Sequence, residues 1–272
     1  MVEEYQTAGL ARQIYGYFRA DPKAVIVYGV ATVLAITRFV FAQRTPAFGI
    51  WRRFGLVMRY LRIHFNVPGA VTLLECLVLA DRALAAGPGC FVEVGAFQGR
   101  STCCLSLIAE FCRVKLVVID TFDGLPGSDD QYSVSDDPSR TYTFAAGEYR
   151  AGQAQFMANL RTYGAPGAVE VIVGDVGKIG ASLRLPAPVS FAFLDVDLRA
   201  SYVASLEAIG SSFREGAIVA FHEGLLRPVR TLIEDAAFWH RYGFEVRQID
   251  YLGGGGRLRS LLAIASLSKS RD

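Results

Sequence analysis

Histidine is scarce in this 272-residue chain, with three in all, and cysteine is limited to five residues. Cys76, Cys90, Cys103, Cys104 and Cys112 show no C-x-x-C spacing and mostly lie in apolar runs. That pattern excludes a cysteine metal motif and a disulfide frame, and it points to buried thiols in a reducing cytoplasm. Net charge is only +2, so there is no global nucleic-acid signature, and no nucleic-acid partner is expected. There is no low-complexity tract and no internal repeat. A secretory signal is also missing: the Glu3-Glu4 start is wrong for a charged n-region, and no small-residue cleavage site follows convincingly. The G-x-G-x-x-G fingerprint of dinucleotide enzymes does not occur around the chain's main glycine turn. What remains is a chain long enough for one large α/β domain with a helical extension.

The extension comes first. Residues 1–23 are mixed and read as helical, with Asp21-Pro22 as punctuation. Residues 24–37 are uncharged and apolar, and with 39–42 they nearly reach the roughly 20 residues of a bilayer span, broken by Arg38. Residues 50–63 form a basic amphipathic helix, with Ile50, Phe54, Val57 and Leu61 on one face and Arg52 and Arg59 opposite. Residues 38–62 carry Arg38, Arg44, Arg52, Arg53, Arg59 and Arg62 and no acid. Two readings stand. Residues 24–62 either touch an anionic membrane, or they pack on the catalytic domain or a second subunit with the arginines solvated. Arg38 and the Ala, Thr and Gly content favour packing. The boundary is drawn at 66/67, giving a 1–66 helical extension and a 67–272 catalytic domain. A homo-oligomer is expected, in the cytoplasm, with peripheral membrane attachment if 24–62 meet a bilayer.

Residues 71–86 read as a buried helix ending at Gly87-Pro88-Gly89. The apolar strand 90–94 follows, then Glu93-Val94-Gly95-Ala96-Phe97-Gln98-Gly99 and a helix opening near Ser101. Such a strand–turn–helix aims free backbone N–H groups at whatever occupies the turn. A second buried strand, 115–120, ends in Asp120, which either meets ribose hydroxyls or caps the next turn. Residues 127–147 read as a long polar loop, either a lid or an acidic surface loop. A helix spans 148–163. Strand 169–173 precedes Asp175, which either accepts from an adenine amine or holds a turn. Strand 190–194 leads into Asp195-Val196-Asp197, and strand 217–221 leads into His222-Glu223. His222 is either functional or fixed at a strand end by hydrogen bonds. Strands 243–250 and 258–266, joined by the Gly253–Gly256 run, read as an antiparallel hairpin.

The stretch Glu93-x-Gly95-x-x-x-Gly99 resembles the first motif of class I S-adenosylmethionine (SAM)-dependent methyltransferases. Asp120-Thr121-Phe122-Asp123-Gly124-Leu125-Pro126 narrows this, since it resembles the signature of the macrocin O-methyltransferase family. The resemblance covers residues 67–266. It implies a Rossmann-like doubly wound, mainly parallel sheet with a C-terminal antiparallel hairpin, beside the N-terminal helical extension. It implies SAM as cofactor, held by Glu93, Gly95, Phe97, Gly99, Ser101, Thr102, Asp120, Thr121, Phe122 and Asp175. It implies a divalent metal (Mg, Mn or Fe) at Asp195, His222 and Glu223, with Asp195 or His222 as catalytic base. The chain departs from the family at Arg199-Ala200 and at His222-Glu223, where the family has Tyr-Glu and two acids. The expected function is O-methylation of a sugar or other natural-product hydroxyl, on a small-molecule acceptor. The alternatives are an NAD-dependent oxidoreductase on a related fold and a non-catalytic, SAM-binding or membrane-attached protein.

Overall fold

A computed structural model describes residues 22–41, 49–253 and 260–270. The expected helix over 1–23 and most of the glycine run at 253–256 lie outside the described residues. Helices α1 (Pro22–Phe41) and α2 (Ile50–Asn66) lead into α3 (Leu73–Ala85). Alternation then begins: β1 (Cys90–Val94), α4 (Arg100–Cys112) and β2 (Leu116–Asp120). The hairpin β3 (Ser128–Val134) and β4 (Asp137–Phe144) stands apart as a separate two-stranded sheet. After it come α5 (Gln153–Tyr163), β5 (Val169–Val173), α6 (Val176–Ile179), β6 (Val189–Leu194), α7 (Arg199–Ile209) and β7 (Phe213–Phe221). The chain closes with α8 (Arg227–Glu234), α9 (Ala236–His240), β8 (Phe244–Tyr251) and β9 (Ala263–Lys269).

The main sheet has seven strands in the order β5-β2-β1-β6-β7-β9-β8. The first five run parallel, while β9 is antiparallel to both β7 and β8. All of β1 is buried, as a parallel strand covered on both faces must be. Alternation along the strands feeds two cores. Phe91, Val118, Phe193 and Ala220 face α1–α5, whereas Val92, Val117, Leu194 and Val219 face α7–α9. Strand order reverses at β1, between β2 and β6, and the crevice beyond those carboxyl ends is the expected place for a ligand.

The N-terminal helices join the first core on one side only. Tyr60 is buried and donates to the Cys104 carbonyl at 2.8 Å, and buried Arg53 donates to the Phe39 carbonyl at 3.0 Å. Among the described residues nothing covers the opposite faces of α1 and α2.

Three expectations are corrected. Residues 127–147 are a hairpin rather than a loop, because Tyr132, Val134 and Phe144 bury themselves on the second core and the Tyr132 and Phe144 rings meet at 5.5 Å. The helix expected from residue 148 starts at Gln153, since Tyr149 has left-handed backbone with φ 56°. The cap of α4 is Gly99, at φ 88°, which places Ser101 inside the first turn.

Candidate active site

The turn after β1 is shaped by a close approach of backbones. Gly95 has φ 82°, and a Cβ there would run into the Asp195 carbonyl oxygen at the end of β6. Only glycine satisfies both conditions. The turn is closed from the other side by Asp120. Its Oδ2 accepts from the Ala96 and Phe97 N–H groups at 2.5 and 3.0 Å, and its Oδ1 accepts from the Phe122 N–H at 2.6 Å. Asp120 is therefore a backbone clamp, and it also lines the cavity, where its oxygens have further lone pairs. Asp175 behaves alike: it caps α6 by accepting from the Gly177 N–H at 3.0 Å, and it lines the cavity.

That cavity measures about 780 Å³. Gly95, Phe97, Ser101, Asp120, Thr121 and Asp175 line one side, and Asp195, His222 and Glu223 line the other. Among the residues expected to hold a cofactor, Glu93, Gly99, Thr102 and Phe122 do not reach its wall. Glu93 is completely buried behind the turn, and neither carboxylate oxygen has a well-aligned donor. Burial pushes its carboxyl up to about 8; the nearby Ser101 and Thr102 hydroxyls oppose the rise, while Asp195 and Asp120 add to it. Gly99 sits against the Phe156 ring, and Phe122 packs on the same ring at 5.1 Å.

Across the crevice, the ends of β6 and β7 bring four ionisable groups together. His222 Nδ1 lies 3.0 Å from Asp195 Oδ1 and 2.5 Å from Glu223 Oε1. Its Nε2 stands 3.8 Å from Oε2 of Glu75, on α3. Burial works against a charged imidazole, but Asp195 and Glu223 outweigh it and hold the His222 pKa well above its usual value. Tyr202, fully buried on α7, donates its hydroxyl to Glu223 Oε2. Asp197 has left-handed backbone at φ 56°. Burial raises its pKa well above the carboxylate range, and Glu223 and Asp195 raise it further.

Sequence reading missed four contributors. Glu75 belongs to a capping box with Thr72, which was legible as Thr72-x-x-Glu75, but its reach to His222 was not. Burial opposes its charge, yet the nearby His222, the Ser260 hydroxyl at 2.6 Å and the Thr72 N–H at 2.8 Å hold its carboxyl down to about 2. Tyr149 lines the cavity and meets Phe97 edge-on at 5.8 Å. Tyr202 and residues 68–71 complete the wall and its support. Among the described residues five non-glycine residues have positive φ, and three of them, Phe97, Tyr149 and Asp197, line this crevice. Such strain collects where a site imposes it.

Residues 92–224 match the family model described as "Methyltransferase domain". That match spans just under half of the chain, and it is this stretch that is similar to the family. Two solved structures share its fold. Calicheamicin methyltransferase CalS11 is 19% identical, with 79% of this chain and 92% of that chain covered, at a TM-score of 0.53. The O-methyltransferase NovP is 14% identical, with 78% and 88% covered, at a TM-score of 0.55. The fold is thus the Rossmann-like one of SAM-dependent methyltransferases, closed by an antiparallel pair as the sequence led one to expect. No curated protein matches the sequence significantly. The crevice at the strand-order reversal is lined by the matched stretch 92–224 together with residues 68–71.

Proposed function

We propose that the protein is a SAM-dependent O-methyltransferase acting on a hydroxyl of a sugar or other natural-product acceptor, with a divalent cation assisting. One observation carries this reading. A single cavity has the Gly95 turn and Asp120 on one side and the convergent Asp195, His222 and Glu223 on the other. CalS11 and NovP are themselves described as a calicheamicin methyltransferase and an O-methyltransferase. The Asp120–Pro126 stretch, which resembles the macrocin O-methyltransferase signature, supports the same reading.

SAM brings a methyl group already activated on a sulfonium. The protein must therefore hold an acceptor oxygen in line and remove its proton. Of the two candidate bases, Asp195 is the better placed. It is an oxygen acceptor on the cavity wall, whereas His222 Nδ1 is already engaged by the Asp195 and Glu223 carboxylates. His222 then orients Asp195, and Glu75 and Glu223 fix His222 from either side. Gly95, Phe97, Ser101, Asp120, Thr121 and Asp175 would bind the cofactor. Glu93 and Thr102 support that wall from behind.

The donor set fits a divalent cation. Ligand atoms of Asp195, His222 and Glu223 lie within 4.8 Å of one another, and carboxylates outnumber cations around them. These three residues would hold the ion, which would polarise an acceptor hydroxyl. An imidazole nitrogen in the set favours Mn or Fe over Mg.

Calorimetric titration with SAM and with NAD, followed by SAM-consumption assays on an acceptor panel with Mg, Mn and Fe, tests the reading. SAM binding without NAD binding is expected. Asp195→Asn should lower transfer by about 10²-fold or more while SAM affinity stays nearly unchanged. Near-normal turnover in that variant removes Asp195 as base. NAD binding in place of SAM, or SAM binding with no turnover on any acceptor, overturns the function.

A further inference from the structure

Among the described residues, every strongly exposed large apolar side chain except Val173 lies on α1 or α2. On α1 the open face carries Ile26, Val30, Val33 and Leu34, at spacings of four, three and one, a single helical stripe. On α2 it carries Trp51, Phe54 and Met58, again one stripe, and Trp51 is 84% exposed. The two helices pack against each other, so both stripes lie on the outside of one helix pair. Isolated exposed apolar residues are ordinary, but a contiguous patch of this kind marks a contact surface.

The charge around it identifies the partner. Arg38, Arg59 and Arg62 are exposed beside the stripes, and the sequence has no acid between Asp21 and Glu75. A two-fold pairing of this face would set its arginines against their own copies with no carboxylate from the segment to answer them. Anionic lipid headgroups supply the missing countercharge, and the acyl boundary takes up the apolar stripes. Spanning is not the mode. Among the described residues no helix is long and apolar enough to cross a membrane, and α1 is fastened along its length. The Tyr28 hydroxyl accepts from the Leu74 N–H at 3.5 Å near one end, and Phe39 and Val40 are buried at the other.

We propose that the outward faces of α1 and α2 form a docking surface for an anionic lipid bilayer, on which the protein lies as a peripheral enzyme. Trp51 gives the assay, because the second tryptophan, Trp239, is buried. Full-length protein is titrated with vesicles of phosphatidylcholine alone and of an equal mixture with phosphatidylglycerol. Tryptophan emission and co-flotation are read at low and high salt. The mixed vesicles should shift emission to the blue and carry the protein upward, with affinity at least ~10-fold above that for neutral vesicles and weakened by salt. Arg38→Glu with Arg59→Glu should lower the affinity about 100-fold. Trp51→Ser with Phe54→Ser should abolish flotation while SAM binding and melting stay unchanged, which separates this surface from the catalytic reading. Two results overturn the proposal. One is a folded protein that ignores anionic vesicles. The other is a protein whose Trp51 emission shifts with its own concentration, as its mass doubles, in the absence of lipid.

Discussion

The crevice and the helix pair break the same rule in opposite directions. At the crevice, ionisable groups are buried: Glu93 and Asp197 have their carboxyls inside, and His222 sits among carboxylates. On the helix pair, apolar groups are exposed. The compensation differs accordingly. In the crevice it is internal, because His222, Tyr202, Ser260 and Thr72 answer most of the acids by hydrogen bonding and charge. On the helix pair nothing within the described residues covers the stripes. A site that satisfies itself can be preorganised before its substrate arrives. A face that nothing among the described residues covers is open to a further surface.

Three substitutions sharpen this contrast, beyond the tests of the catalytic base and of lipid binding. Gly95→Ala should have the largest effect, because it combines a left-handed backbone with a collision at the Asp195 carbonyl. A loss of roughly 3 kcal/mol or more is expected in chemical denaturation, with vesicle binding unharmed wherever protein remains folded. Stability like that of the parent chain would show that β1 and β6 do not meet as described.

Glu93→Gln comes next, and its effect depends on pH. The ordinary value of 4.5 is raised to about 8 in the fold, so the native state holds this proton more tightly than the unfolded chain. Below about pH 4.5 both states are protonated and Glu93 carries no penalty. As pH rises towards 8 the unfolded chain ionises first, and stability falls. The glutamine removes that loss. Its advantage should be absent in acid and reach a few kcal/mol near pH 8, read from melting curves across pH. A constant difference across the range would mean that the carboxyl is ionised in the fold.

Trp51→Ser should have the least effect on stability, within ~0.5 kcal/mol of the parent in the same denaturation experiment. A clear destabilisation would put Trp51 in a packed contact and dissolve the contrast between the two regions.

Much of the fold could be read in the chain. The β1 and β2 runs, the Gly95–Gly99 turn and the closing antiparallel pair are local patterns, and local patterns survive translation into structure. The hairpin β3–β4 was hidden because its strands are polar on one side and few of its side chains, Tyr132, Val134 and Phe144 among them, are buried. At the site, residue types at strand ends were legible, since β6 and β7 deliver Asp195 and His222 to one crevice by topology alone. Partners were not. Glu75 reaches His222 across some 150 residues of sequence, and Tyr202 reaches Glu223 from a helix whose start departs from the family pattern. The carboxyl of Glu93 looked like a ligand beside a glycine motif, but strand geometry put it behind the wall.

Arg100 opens the helix that follows the glycine turn, and its buried guanidinium holds three carbonyls: Val67 at 2.7 Å, Gly69 at 2.5 Å and Val71 at 3.1 Å. Val67 is the residue on which α2 ends, and residues 68–71 are cavity wall. A Cβ at Gly69 would press on the Arg100 side chain, so the fit has little slack. One side chain therefore works as a hinge pin between the outward-facing helix pair and the chamber where transfer is proposed. Moving the end of α2 would thus mean breaking the bonds that tie residues 67–71 to the first turn of the helix behind the glycine loop.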